Sequence, residues 1–130
     1  MDIVEFRRMM MARTIAFTVA LDKMLRTLPA CFAKKRLMDQ LGRAGSSIGA
    51  NFAESSAAES TDDFIHKISV SLKEAEETQF WLGCVRNEFP ELDEASKLET
   101  ECHEFVKILQ SSLTTAKRNR DRKAQQTCET

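Results

Sequence analysis

Residues that interrupt helices or build disulfide frameworks are scarce in this 130-residue chain. It has two prolines, four glycines and no tyrosine, so long stretches are free to be helical. Its four cysteines are scattered without a Cys-x-x-Cys pair, which argues against a disulfide framework. No run of about 18 uncharged apolar residues exists, and arginines interrupt the apolar N-terminus, so neither a membrane span nor a signal peptide is expected. These absences predict a reduced, cytoplasmic protein with no membrane partner.

An excess of one charge is also lacking, because the formal net charge is −1. The chain as a whole is therefore no electrostatic partner for nucleic acid or membrane. The average hides an asymmetry: residues 1–43 carry nine Lys/Arg against four Asp/Glu (+5), and residues 74–104 carry ten acids against two bases (−8). Two interpretations remain open: solvated faces with charge complementarity within or between subunits, or a polarised surface that orients a partner.

Apolar residues repeat at helical spacing in four segments, at about 3–28, 34–58, 62–88 and 91–118. Short turns join the segments, and no stretch alternates with the period of a strand. The sequence therefore predicts an all-α fold, an antiparallel up-down-up-down four-helix bundle. We expect a single domain at 1–118, followed by a basic and polar tail at 119–130 that is flexible.

The apolar stripes predict which residues form the core, and the polar residues before the third segment predict a helix cap. On the first segment the stripe consists of Ile3, Phe6, Met10, Phe17, Leu21, Met24 and Leu28. On the third segment Phe64, Phe80 and Trp81 lie off the main stripe and predict a second buried face. Ser60 with Asp63, or Thr61, is expected to cap that segment.

The second segment is constrained around nearly its whole circumference. Beside its apolar stripe runs a row of small residues, which predicts close helix contact: Gly42, Gly45, Gly49 and Ala53. Glycine in a helix interior costs about 1 kcal/mol relative to alanine, so three of them require a reason. A third row is polar and predicts hydrogen bonds to a neighbouring helix: Gln40, Arg43, Ser47, Asn51 and Glu54.

No constellation predicts catalysis or a cofactor. The stretch GRAGSSIG lacks the lysine of a phosphate loop, and no strand precedes it. His66 and His103 lie on different segments without the Glu-x-x-His motif of carboxylate-bridged bundles, so we interpret them as structural. Glu74 and Glu77 share a face and could do acid–base chemistry, but a solvated face or a bond to Arg43 or Asn51 is favoured. We predict no enzyme activity, metal, cofactor or small-molecule substrate.

Three groups of basic residues are candidate nucleic-acid contacts. They are Arg7, Arg8 and Arg13 on the first segment, Lys34, Lys35 and Arg36 at the first turn, and Lys117, Arg118, Arg120, Arg122 and Lys123 at the end. In an up-down-up-down bundle the first turn and the end of the fourth helix lie at opposite ends. They would not form one patch in a single subunit, and solvated charge is the competing interpretation.

The segment LMDQLGRAGSSIGANFAES, followed by DFIHKISVSLKEAEETQFWL, carries a family resemblance. It resembles the bacterial four helix bundle protein family, which includes proteins encoded in intervening sequences of large-subunit ribosomal RNA genes. That family is related to the accessory variability proteins of diversity-generating retroelements. The pattern is met by Gln40, Leu41, Arg43, Ala44, Ser47, Ile48, Asn51, Ala53 and Glu54, and then by Ser71, Glu74, Glu77, Trp81 and Leu82.

The resemblance implies a homopentamer, in which five bundles form a barrel around a central pore. It supports a non-enzymatic, ring-forming scaffold or assembly protein as the first hypothesis. The alternative is an accessory factor that binds RNA, DNA or a reverse transcriptase, and a metal-dependent bundle enzyme is a third, weaker hypothesis. In a ring, the +5 and −8 regions could serve as facing surfaces on adjacent subunits.

Reversing the charges of Lys34, Lys35 and Arg36 to glutamate should weaken assembly at low salt, because the facing surfaces would then repel each other. Sedimentation velocity at low and high ionic strength measures the effect. An unchanged sedimentation profile at low salt would refute the charge-pairing hypothesis.

Overall fold

The computed structural model describes residues 1–129, which form four α-helices joined by turns of four or five residues. The helices are α1 (Ile3–Arg26), α2 (Phe32–Ser55), α3 (Thr61–Glu88) and α4 (Asp93–Glu129). No strand occurs among the described residues. The predicted all-α, antiparallel four-helix bundle is confirmed.

Side-chain caps explain where two of the helices begin. Before α1, Asp2 accepts a hydrogen bond from the Glu5 backbone N–H at 2.8 Å, and the Asp2 backbone N–H donates to the Glu5 carboxylate. Before α3, the Ser60 hydroxyl accepts from the Asp63 backbone N–H at 3.1 Å. The predicted cap at Ser60 is confirmed.

The four helices pack as a square, in which the contacting pairs are α1 with α2, α2 with α3, α3 with α4, and α4 with α1. The contacts of α2 with α1 and α3, and of α3 with α4, are extensive, whereas α4 closes the bundle against α1 through a smaller contact. Within residues 1–129, the backbones of the diagonal pairs, α1 with α3 and α2 with α4, do not approach each other closely. Each helix therefore has an outer side that faces away from the bundle.

Most of the predicted α1 stripe lies in the core, with one correction. The buried residues are Met10, Phe17, Leu21, Met24 and Leu28, and Phe6 is half-buried. Across the core, Phe17 packs edge-to-face on Phe105 of α4, with ring centroids 5.4 Å apart. The prediction for Ile3 was wrong, since it is 55% exposed. It lies in the first turn of α1, where it lines an open groove against α4.

The predicted second buried face of α3 was wrong for Phe80, which is 63% exposed. Phe64 and Trp81 are half-buried and pack against the core. Glu77 reaches towards α2 and Gln79 towards α4. Phe80 lies between these two directions, on the outer side of α3, where no third helix is available to cover it.

The fourth helix continues well beyond residue 118, where its apolar pattern ends. It runs for 37 residues to Glu129, because the polar segment 117–129 contains no proline or glycine that would stop it. At about 1.5 Å per residue its length is roughly 55 Å. The tail predicted at 119–130 is therefore helical through 129, while Thr130 lies outside the described residues. Its flexibility remains a prediction.

Two of the glycines in α2 lie where α1 approaches most closely. A Cβ atom at Gly49 would lie 2.8 Å from both Cβ and Oγ1 of Thr14, and a Cβ atom at Gly45 would clash with the Leu21 side chain. At Gly42 the added atom would lie 3.7 Å from Leu25 Cδ1, which is an ordinary van der Waals distance. Glycine is therefore required at Gly49, where the neighbouring Cβ is fixed to the α1 backbone, whereas a side chain at Gly45 would require the Leu21 side chain to move and one at Gly42 would fit.

Gly49→Ala and Gly42→Ala should change stability in opposite directions. The Cβ of Thr14 cannot move without its backbone, so Gly49→Ala should lower the free energy of unfolding by about 1–3 kcal/mol. Gly42→Ala meets no clash and should raise it by up to about 1 kcal/mol through helix propensity. Thermal unfolding followed by circular dichroism, at one protein concentration, compares the two. Equal shifts of the same sign would contradict the close contact at Gly49.

Candidate functional site

A cluster of charged side chains connects α2 to α3. The guanidinium of Arg43 donates to Glu74 Oε2 at 3.1 Å and, through its other terminal nitrogen, to Glu77. The hydrogen bond to Glu77 is the main reason why the pKa of Arg43 is raised. The side chain of Glu74 is 18% exposed, whereas those of Arg43 and Glu77 are 49% and 38% exposed. Both carboxylates therefore share one cation at the edge of the helix contact.

The rest of the predicted polar row divides between two roles. Glu54 also reaches α3, where it accepts from Lys67 Nζ at 2.7 Å. Ser47 and Asn51 instead donate within α2, to the carbonyls of Arg43 and Ser47 at 2.7 and 2.8 Å. Gln40 is exposed. Arg43 and Glu54 thus bond to α3, whereas Ser47 and Asn51 bond within α2.

A buried hydroxyl makes the most protected polar contact between α2 and α3. Ser71 is fully buried and donates to the backbone carbonyl of Ile48 at 2.8 Å. Ser71 belongs to the family pattern, but its contact with α2 was not predicted from the sequence. A serine at a core position, between Ile68 and Ala75, was the available signal. A buried hydroxyl is costly without a partner, so such a serine implies a hydrogen bond across the helices.

Trp81 supports an exposed aromatic residue beside this cluster. It is half-buried and packs against the core, and its Nε1 is inaccessible to solvent without a hydrogen-bond partner among the described residues. The ring of Phe80 rests edge-to-face against it, with centroids 5.0 Å apart and an interplanar angle of 74°. Phe80 is therefore held in place from behind while its outer face meets solvent.

An open apolar groove runs along the outer side of the α1–α2 contact. Its volume is about 280 Å³, and its main lining residues are Met11, Ile15, Val19, Gly49, Ala50 and Ala53. Ile15 is 58% exposed and Val19 is 46% exposed. No charged residue occurs between Arg13 and Asp22 on α1, so the middle of the groove has an uncharged wall.

The candidate catalytic groups do not converge. Cys102 is buried and its Sγ–H donates to the Ala75 carbonyl, and burial raises the pKa of this thiol to about 12. His66 is exposed on α3, while His103 Nδ1 lies 3.1 Å from Gln79 Nε2. Within residues 1–129, no group of three or more His, Cys, Asp and Glu residues is placed to hold a metal ion. Within the same range, no helix is both long and apolar enough to cross a lipid bilayer.

The candidate basic residues lie at two ends of the bundle. Lys34, Lys35 and Arg36 are in the first turns of α2. At the other end, a groove lined by Phe6 and Asn119 places the start of α1, with Arg7 and Arg8, beside the last part of α4, which carries Lys117, Arg118, Arg120, Arg122 and Lys123. Arg7 and Arg8 of α1 therefore lie at the same end of the bundle as the basic residues of α4. Arg13 lies farther along α1.

Three of the basic candidates are engaged within the chain: Lys34 Nζ donates to the Arg26 carbonyl at 3.4 Å, and Arg13 and Arg120 bind acidic side chains. Arg13 Nε donates to Glu101 of α4 at 3.0 Å, and its guanidinium lies 5.5 Å from the centre of the Phe105 ring. The hydrogen bond to Glu101 is the largest influence that raises the pKa of Arg13. Arg120 pairs with Asp121 and with Asp62 of α3, at 3.2 and 3.4 Å.

Comparison with known proteins identifies the family and a solved structure with a similar fold. A crystal structure of a protein with unknown function, from the S23 ribosomal protein family of Bacteroides thetaiotaomicron, is 28% identical and has a TM-score of 0.70. The match covers 80% of this chain and 97% of that one. A search of curated proteins gives no match. The family profile described as 23S rRNA-intervening sequence protein matches residues 9–111. Because this match spans most of the bundle, the chain belongs to the 23S rRNA-intervening sequence protein family.

Proposed function

We propose that this protein is a non-enzymatic assembly protein whose copies associate through the outer side of α1 and α2. The observation that carries the proposal is the uncharged groove between these helices, lined by exposed Ile15 and Val19. Contiguous exposed apolar surface on a small domain marks sites of association. Covering such a surface with a second copy would remove those side chains from water.

Energetics support association at this face. Full burial of an isoleucine or valine side chain contributes about 1.5–3 kcal/mol, and Ile15 and Val19 are each about half exposed in the single chain. The small residues Gly49, Ala50 and Ala53 form the α2 wall of the groove, so a neighbouring side chain can approach the backbone there. The face therefore combines apolar surface with room for a partner.

The proposed assembly is a closed ring of five copies, the number that the family resemblance implies. A ring arises when each copy contributes two different surfaces and the rotation between neighbours closes. The proposed role of such a ring is that of a scaffold. Chemistry at the side chains supports a role without catalysis, because Cys102 stays protonated near neutral pH and Glu74 and Glu77 are bound to Arg43.

Ile15→Glu should dissociate the assembly, because it places a charge in the apolar groove. The matched control is Ile3→Glu, which changes the same residue type on the same helix at similar exposure, 55% against 58%, but outside the groove. Light scattering after size exclusion should give a mass near 14.8 kDa for Ile15→Glu and about five times that mass for the wild type and for Ile3→Glu. A wild-type protein of 14.8 kDa would overturn the proposal.

A second candidate function is binding of RNA or DNA, alone or as an accessory factor of a reverse transcriptase. The observation that favours it is the basic end of α4, where residues 117–123 carry five basic residues and one acid. Arg118, Arg122 and Lys123 are exposed and have no acidic partner among the described residues. Unpaired cations on one projecting helix are suited to contact phosphates.

If α4 binds RNA, the affinity for RNA should fall as the salt concentration rises. The affinity of the triple variant Arg118→Gln, Arg122→Gln, Lys123→Gln should fall less steeply. Three lost contacts should reduce the slope of log affinity against log salt by about 2 for a single strand. Gel shifts with single-stranded RNA measure the slope. The control is Lys97→Gln with Lys107→Gln, which changes two exposed lysines that pair with Glu94 and Glu104 on the same helix. Identical slopes for the two variants would exclude the α4 end as the contact.

A further inference from the structure

Phe80 is an exposed aromatic side chain that contacts a second aromatic ring. It is 63% exposed on the outer side of α3, and its ring rests edge-to-face on Trp81. Trp81 is itself packed against the core. An aromatic side chain has few rotatable bonds and loses little conformational entropy on binding, so it is suited to be the anchor of an interface.

The α1–α2 groove has the size and polarity to receive a phenyl ring. Its volume is about 280 Å³, whereas an apolar cavity of about 150 Å³ already accepts benzene. The α2 wall is made of Gly49, Ala50 and Ala53, so the floor beside Thr14 is not filled by large side chains. A ring placed in this open groove would be removed from water only when the rest of the second copy covers it, as the surroundings of an aromatic anchor do.

The anchor and the groove lie on different sides of one copy. Phe80 belongs to α3, which stands diagonally across the bundle from α1 and does not approach its backbone closely. A copy cannot fill its own groove. Two copies related by a two-fold axis would pair like surfaces, whereas an anchor and a groove on different sides join copies head-to-tail.

Charge favours the same pairing. The α1 wall of the groove belongs to residues 1–43, with a balance of +5, and its α2 wall belongs to the uncharged stretch 46–53. Phe80 belongs to residues 74–104, with a balance of −8. Lys23 lies one turn beyond Val19, and Glu76 lies one turn before Phe80. Both are exposed and neither has an ion-pair partner among the described residues. Opposite charges beside the two surfaces orient one copy on the next.

We propose that Phe80, supported by Trp81, inserts into the α1–α2 groove of the next copy, so that the contact between copies is heterologous. The inference rests on the proposed function, because it requires that the α1–α2 face is an assembly surface. It identifies the Phe80 side of α3 as the surface that contacts the α1–α2 face of the next copy, and it makes this contact head-to-tail.

Phe80→Ala should weaken assembly by at least about tenfold, since the anchor is removed while its support remains. The matched control is Phe32→Ala, which removes a phenylalanine that is 83% exposed at the start of α2 and lies on neither surface. Sedimentation velocity over a concentration series measures the association of both variants. If Ile15→Glu dissociates the protein and Phe80→Ala assembles like the wild type, the anchor is wrong and the proposed function stands. If the wild type is monomeric, both are wrong.

Mixing two variants tests the head-to-tail direction. Ile15→Glu damages the groove and leaves the anchor, while Phe80→Glu damages the anchor and leaves the groove. Each variant alone should be monomeric, and an equimolar mixture should form a dimer with one intact contact that cannot extend into a ring. Sedimentation of the mixture, with one variant fluorescently labelled, detects this dimer. Absence of the mixed dimer at concentrations where the wild type remains assembled would overturn the heterologous contact.

Discussion

Thr14 of α1 occupies the space that a side chain at position 49 of α2 would need, and the packing of these two helices follows from that contact. Gly49 and Gly45 let the backbone of α2 approach the side chains of α1, which fixes the depth of the contact between them. Gly49 also lines the apolar groove at the outer edge of that contact, where it contributes no side chain. The shallow groove therefore follows in part from close packing, because the glycine that permits the approach also leaves the wall low.

The opposite side of α2 is attached to α3 by polar groups at three levels. Ser71 donates to the Ile48 carbonyl in the interior, and Arg43 and Glu54 pair with acids and a lysine of α3 nearer the surface. Buried apolar side chains pack between these levels. A buried hydrogen bond specifies register along the helices, since sliding α2 would leave the Ser71 hydroxyl without a partner. The exposed ion pairs contribute less, because solvent screens them.

Local periodicity was sufficient to predict the helices, their order and most of the core, because the apolar spacing of a helix reflects its buried face. The row Leu37, Leu41, Ala44, Ile48 and Phe52 is buried as its spacing indicates. Phe80 could not be placed by this reasoning. Its burial depends on whether another helix covers the outer side of α3, which is a property of the tertiary arrangement. The end of α4 was also missed, since helix propensity continues where apolar spacing stops.

Among the site residues, spacing placed Arg43 and Glu54 on one side of α2 but did not identify the partner of Glu54. For Glu74 and Glu77 it left a solvated face and a bond to Arg43 or Asn51 open, and both carboxylates bond to Arg43. The contacts of Ser47 and Asn51 within α2 were not foreseen, because short polar side chains on a helix can bond to their own backbone as well as to a neighbour. Choosing between these options requires the distance between helices.

The long fourth helix has a geometric consequence for an assembled protein. The pair Arg120–Asp62 marks the level where α3 begins, and α4 continues beyond it to Glu129. In a ring with cyclic symmetry, every copy points this extension to the same rim, because rotation about one axis preserves its direction. Five copies of this extension on one rim would present the exposed Arg122 and Lys123 of each copy as a multivalent array. A polyanion long enough to reach several copies would be held by avidity, even where a single extension binds it weakly.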